Sequence, residues 1–185
     1  MHFPLFVDLT GKPCLVIGAG SVAARKVRML ADFGARVTVV ASRGGVPASP
    51  EWDSADVLFH RRPFRDADLA GMTLAVAATD DAALNARIAS LCRERGVPVN
   101  VVDDPANCTF IFPAIAKKGP VVAAVSTGGV CPVATQVVRD RVAELLTDRF
   151  CETVERLGAQ REALKREIPN PAARRDRMRK ELESC

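Results

Sequence analysis

"KPCLVIGAGSVAARKVRMLADFGARVTVVAS", residues Lys12–Ser42, decides the fold. Cys14 to Ile17 is a short apolar run of the kind that forms a strand buried on both faces. A glycine turn follows. Then Ala23, Val27, Leu30 and Phe33 recur at helical spacing, and Gly34 stands where a helix stop belongs. Val37 to Val40 is a second buried strand. Strand, helix and strand in this order make a βαβ unit, whose parallel strands read as continuous apolar runs.

The turn itself, Gly18-Ala19-Gly20-Ser21-Val22-Ala23, fits the spacing G-x-G-x-x-G/A. The first glycine permits the tight turn, the second lets the backbone approach a pyrophosphate, and the small third residue lets helix pack on strand. The helix N-terminus offers free N–H groups to that anion. The motif follows a strand and opens a helix, which is the context it requires. An acid usually ends the second strand and grips the ribose 2′-hydroxyl. Here the sequence is Val39-Val40-Ala41-Ser42-Arg43, with no acid. Ser42 can bond a ribose hydroxyl and Arg43 can accept a 2′-phosphate, so the residues alone leave NAD and NADP open. Arg43 as a plain surface charge is open too.

Downstream, "GGVPASPEWDSAD" is turn-rich. Strands are expected at Val57–His60, Leu74–Ala78, Val99–Val102 and Thr109–Phe112. The helix "TDDAALNARIASLCRERG" is expected to be capped near Thr79 or Asp80. Alternating strands and helices imply an α/β fold, a Rossmann-like doubly wound parallel sheet. From Pro113 the pattern changes to two strands around a Lys-Gly turn, then a helix starting near Pro132 with Val133, Val137, Val138, Val142, Leu145 and Leu146 on its apolar face. Phe150, Val154, Leu157, Leu164 and Ile168 mark a further helix interrupted at Arg161, and a charged helix ends the sequence. The expected division is a dinucleotide-binding Rossmann domain over 1–112, a small α+β segment over 113–146 and a helical C-terminal domain over 147–185.

Composition narrows the chemistry. The 185 residues are 48% apolar and 26% charged, a globular balance. No apolar stretch approaches the roughly 18 residues of a membrane span. The start, "MHFPLFVDLTGK", lacks the basic and long apolar regions of a signal peptide. Six cysteines without a C-x-x-C pair read as reduced thiols in a cytoplasmic protein. The net charge of +4 is mild, and basic residues are dispersed among few aromatics, so no nucleic-acid partner is expected. There is no tyrosine, which excludes a Tyr/Lys proton donor. With only two histidines, His2 and His60, no metal site is expected.

Asn100-Val101-Val102-Asp103-Asp104-Pro105 places two acids at a strand end. Asp-Asp-Pro is ordinary turn chemistry. Adjacent carboxylates can also raise one another's pKa towards a useful range. Ser126-Thr127-Gly128-Gly129, just before a helix, reads equally as an anion-binding nest or as an N-cap. The basic run Arg174–Lys180 reads as a solvated helix face or an attractor of anions.

Taken in order, "PLFVDLTGKPCLVIGAGSVAARKVRMLADFGARVTVVA", "LAVAATDDAALNARIA", "VPVNVVDDPANCTFIFPA" and "GPVVAAVSTGGVCPVATQVVR" resemble the precorrin-2 dehydrogenases, the NAD-binding module of sirohaem synthases. The resemblance spans about Pro4 to Leu146. It implies oxidation of the tetrapyrrole precorrin-2 to sirohydrochlorin with NAD⁺ as hydride acceptor, a homodimer formed through the segment after the Rossmann domain and, in some members, Fe²⁺ insertion. It implies Asp103 as the catalytic residue. Gly18, Gly20, Ser21, Val22, Ser42, Arg43 and Thr79 are its expected cofactor contacts. Asn100, Ser126, Thr127 and Gly128 are expected to meet the substrate. The resemblance favours NAD. The family's Ser-Pro-x-Leu-Ala-Arg after the S-T-G-G loop is replaced here by Cys131-Pro132-Val133-Ala134-Thr135-Gln136, so an expected arginine is missing. The methyltransferase domain of the fused synthases does not follow, and methylation by another protein is expected. A rival class, a non-enzymatic NAD-binding regulatory module, shares the glycine turn but leaves N-V-V-D and the S-T-G-G loop unexplained.

Overall fold

Cys14, Leu15, Val16 and Ile17 are all buried because the strand they form is covered on both faces. In a strand successive side chains point to opposite sides. Leu15 and Ile17 join one apolar cluster, and Cys14 and Val16 join the other. The computed structural model describes residues 2–42, 50–54 and 56–185.

The strand β1 (Pro13–Ile17) pairs in parallel with both β2 (Arg36–Ala41) and β4 (Leu74–Ala77). Outside these lie β3 (Val57–Arg61) and β5 (Val99–Val101), giving the order β3-β2-β1-β4-β5. The helix α1 (Ser21–Asp32) covers one face through Ala23, Val27 and Leu30. The helix α2 (Ala82–Glu94) covers the other through Ile88, Ala89 and Cys92. This is the doubly wound parallel sheet expected from the sequence. Burial pushes the Cys14 and Cys92 thiols up to about 11, so both pack as neutral apolar groups.

Gly34 (φ +77°) ends α1 as the sequence suggested. Its N–H donates to Ala31 and that of Ala35 to Leu30, a paired closure that satisfies two terminal carbonyls. The cap of α2 differs from expectation. Asp81, and not Thr79 or Asp80, accepts the Leu84 N–H at 2.9 Å. The Thr79 hydroxyl is already engaged with Asn85 Oδ1 at 2.7 Å, so the helix begins later.

Thr109–Phe112 is not a strand. The segment instead meets the edge of β5 through one short backbone bond, Thr109 N–H to the Val99 carbonyl at 2.8 Å, and through side chains in place of a continued ladder. Thr109 Oγ1 accepts from Val99 N at 2.7 Å and Cys108 Sγ accepts from Val101 N at 3.1 Å. Asn100 Nδ2 donates to the Phe110 carbonyl at 3.1 Å. Edge N–H groups satisfied by side chains leave nothing for a sixth strand to pair with.

Beyond β3, Arg62 grips Asp68 with both guanidinium arms, at 2.8 and 2.6 Å, and the Arg65 N–H adds a third bond. The Arg62 hydrogen bond, first of all, holds the Asp68 carboxyl below its ordinary range.

His2–Phe112 forms one unit and Pro113–Cys185 another. The second contains the antiparallel hairpin β6 (Ala114–Lys118) and β7 (Val121–Val125), then α3 (Pro132–Leu145), α4 (Asp148–Ala159), α5 (Arg161–Glu167) and α6 (Pro171–Glu183). A cluster of Ala116, Leu146 and Cys151, with Val121, Val142 and Phe150 against it, runs across the line expected between 146 and 147. Hairpin and helices therefore share one core. The charged run Arg174–Lys180 lies on α6, where Arg177 pairs with Glu181 and Arg174 donates to the Ile168 carbonyl.

Two outcomes follow for stability. A Cβ at Gly18 would lie 2.2 Å from the Ala78 carbonyl oxygen, on backbone at φ +111°, whereas one at Gly20 meets nothing within 4 Å. Gly18→Ala is expected to cost about 3 kcal/mol or more in urea unfolding, and Gly20→Ala about 1 or less, the penalty of alanine in place of glycine at an N-cap. Asp68→Asn is expected to lose stability at neutral pH. Because the folded-state pKa of Asp68 is lowered, its contribution is complete above the unfolded value of about 3.9. The gap between wild type and variant therefore closes as pH falls below that value.

Candidate active site

Strand order reverses between β1 and β4, and in such sheets ligands bind outside the carboxyl ends of the strands at that point. Here lies a cleft of about 660 Å³. Ile17 ends β1 and Gly18 follows it, Ala41 ends β2 and Ser42 follows it, Ala78 and Thr79 follow β4, and Val102 and Asp103 follow β5. The register brings these ends level, with Ile17 opposite both Val40 and Ala77, and Ala77 opposite Val101.

The first turn of α1 fits an anionic group. Its N-cap is Gly20, which offers no side-chain acceptor, and no acid stands in the first turn. Four N–H groups begin every helix without internal partners. Gly20, Ser21 and Val22 present theirs to the cleft, and the space beside Gly20 is open. A dinucleotide pyrophosphate is the kind of group this turn can hold. Ser42 is exposed on the same cleft. Arg43 lies outside the described residues.

Thr79 lines the cleft, but its side chain serves the scaffold. Its hydroxyl bonds Asn85 Oδ1, and Asn85 Nδ2 returns a bond to the Thr79 carbonyl at 2.9 Å. Asn85 is buried, a position the sequence reading missed. The signal was present: Asn85 shares the inner face of α2 with Ile88, Ala89 and Cys92, where a polar residue needs a partner.

The two acids separate cleanly. Asp104 accepts from Asn107 N at 3.3 Å and Asn107 Nδ2 at 2.7 Å, capping the short 3₁₀ turn Pro105–Asn107. Asp103 sits at φ +59°, the only non-glycine residue with positive φ among those described. Its carboxylate is exposed and receives no hydrogen bond from them. Backbone held in this region costs about 1–3 kcal/mol and tends to mark functional positions.

Asn100, expected to meet substrate, is buried and spends its amide N–H on Phe110. Ser126, Thr127 and Gly128 belong to the second unit. Thr127 Oγ1 accepts from Cys131 N at 3.2 Å and lies 2.8 Å from Thr135 Oγ1, while Ser126 Oγ accepts from Gly128 N at 3.0 Å. The loop is thus closed on itself at the start of α3, with Thr127 in an N-cap-like role. Among the described residues, no three His, Cys, Asp or Glu side chains converge as metal ligands.

A family model described as "Putative NAD(P)-binding" matches residues 5–114. The chain is 43% identical over 183 residues to the siroheme synthase of Methylococcus capsulatus, covering 98% of this chain and 38% of that protein. It is 48% identical over 139 residues to the siroheme synthase of Ectopseudomonas mendocina, covering 75% of this chain and 30% of that one. The chain thus spans well under half the length of these relatives. Among solved structures, that of SirC, a precorrin-2 dehydrogenase, matches with a TM-score of 0.70 at 22% identity, over 97% of this chain and 88% of SirC, which is a likeness of fold. With its matched residues running from β1 through β5 and the glycine turn at the mouth of its cleft, the chain belongs to this NAD(P)-binding family.

Proposed function

We propose that the chain oxidises precorrin-2 to sirohydrochlorin with NAD⁺. The observation that carries this reading is Asp103: a strained, unpartnered carboxylate on the cleft that the glycine turn also lines. Its neighbour Asp104 is engaged in holding the turn. The names of the siroheme synthase relatives support the same substrate.

Gly18, Gly20, Ser21 and Val22 would hold the dinucleotide's phosphates, and Ser42 a ribose hydroxyl. When bound, the nicotinamide supplies the hydride acceptor. Asp103 receives the proton that the tetrapyrrole loses, and its exposure leaves it accessible. Asn100 positions it indirectly by fixing the segment that follows β5. Thr79, through Asn85, fixes the floor of the cleft.

We assign a second copy of this chain as partner. On α3 no residue is buried, and Val133, Val137, Val138 and Leu145 are 45–71% exposed, an apolar stripe suited to a symmetric contact. The six free cysteines suit a cytoplasmic setting.

Mixing protein, precorrin-2 and NAD⁺ is expected to produce NADH, and NADP⁺ to do so more slowly. No NADH from either would overturn the reading in favour of a nucleotide-binding regulator. Asp103→Asn keeps a residue type that tolerates positive φ, so it is expected to fold. It should bind NAD⁺ like wild type and form NADH about 10²- to 10⁴-fold more slowly. Wild-type turnover in that variant removes Asp103 from the chemistry. Val137→Glu is expected to halve the mass measured by light scattering, and an unchanged mass would move the dimer contact elsewhere.

A further inference from the structure

A second cavity of about 430 Å³ lies beside the cleft, and Val22, Val102 and Asp103 line both. One wall is a single stripe of α1. Val22, Arg25, Lys26 and Met29 are spaced as one helix face, next to the face that Ala23, Val27 and Leu30 bury against the sheet. Helical packing alone accounts for the buried stripe. It does not account for two adjacent cations on the cavity side.

Lys26 is half-buried, and its Nζ stands 3.9 Å over the Phe112 ring. Burial, and then Arg25, pushes its pKa down. A partly desolvated ammonium ordinarily has a carboxylate partner. Lys26 has none within salt-bridge distance among the described residues, and neither has Arg25. Two acids line the same cavity, but Asp104 is bound to Asn107 and Asp103 makes no ion pair. The cavity is therefore polarised, with cations that lack a carboxylate partner on the α1 wall, carboxylates beyond β5 and apolar surface from Met29, Ile111 and Phe112 between.

We infer that this cavity is a substrate subsite in which Lys26, assisted by Arg25, binds a peripheral carboxylate of the tetrapyrrole while the ring lies against the apolar surface of the cavity. The inference rests on the proposed substrate class. A flat apolar ring edged with carboxylates matches a wall of cations beside apolar side chains. Anchoring an edge carboxylate on α1 directs the reacting carbon towards Asp103 and away from the cations. Lys26 is thus a specificity residue, distinct from the phosphate contacts at the start of the same helix.

Lys26→Met keeps a long unbranched side chain beside Phe112 and removes the half-buried charge, so the variant is expected to unfold at the wild-type urea concentration or higher. In steady state its KM for precorrin-2 should rise about tenfold or more, with kcat within about twofold and NAD⁺ affinity unchanged. Lys26→Arg should restore most of the loss, and Arg25→Gln should weaken binding less. Titration of sirohydrochlorin, followed by its absorbance, should show the same order. Wild-type affinity for sirohydrochlorin in Lys26→Met overturns the subsite. If wild type binds the tetrapyrrole and Lys26→Met does not, yet no NADH forms, the dehydrogenase reading fails and the subsite stands. If wild type neither binds nor turns over the tetrapyrrole, both fall.

Discussion

The space where a side chain would stand on Gly18 is filled by the carbonyl of Ala78. That approach ties the end of β1 to the end of β4, the two strands between which the sheet changes direction. Each further feature of the cleft is set by it. It fixes where α1 begins, and hence where the free N–H groups of Gly20, Ser21 and Val22 point. It also sets the level at which Thr79 leaves β4, from which Asn85 anchors α2. A turn even one methyl group larger would force the two strand ends apart.

Asp103 lives at the other side of that frame, on backbone that few side chains accept. The strain is held by its surroundings. Asp104 donates its N–H to Val101 and caps the following turn, while Cys108 reaches back to Val101 on the edge of β5. Such over-determination lets a single acid be presented bare to solvent and cleft. The division of labour between two identical neighbours comes from backbone geometry, since their side chains are chemically the same.

The βαβ core was legible in the sequence because burial on both faces leaves continuous apolar runs, as in Leu15 and Val39. The glycine turn was legible because each small residue answers a steric demand. Thr109–Phe112 misled because Phe110, Ile111 and Phe112 are apolar for packing, while their backbone goes unpaired by a ladder. The cap of α2 slipped from Thr79 to Asp81 because three consecutive residues all have capping side chains, and only the partner Asn85 decides among them. The cation wall was invisible in one dimension: Lys26 and Phe112 are neighbours only after the sheet has formed.

The sealed margin of β5 has a consequence for how the protein behaves among its own copies. A parallel sheet with an open outer strand is a template on which another chain can grow. Here Thr109 and Cys108 occupy the very donors such growth would use, and they do so from the same chain, at no cost in solubility. Strand addition at this margin is thereby blocked, and an assembly that used the β5 side would have to do so through side chains.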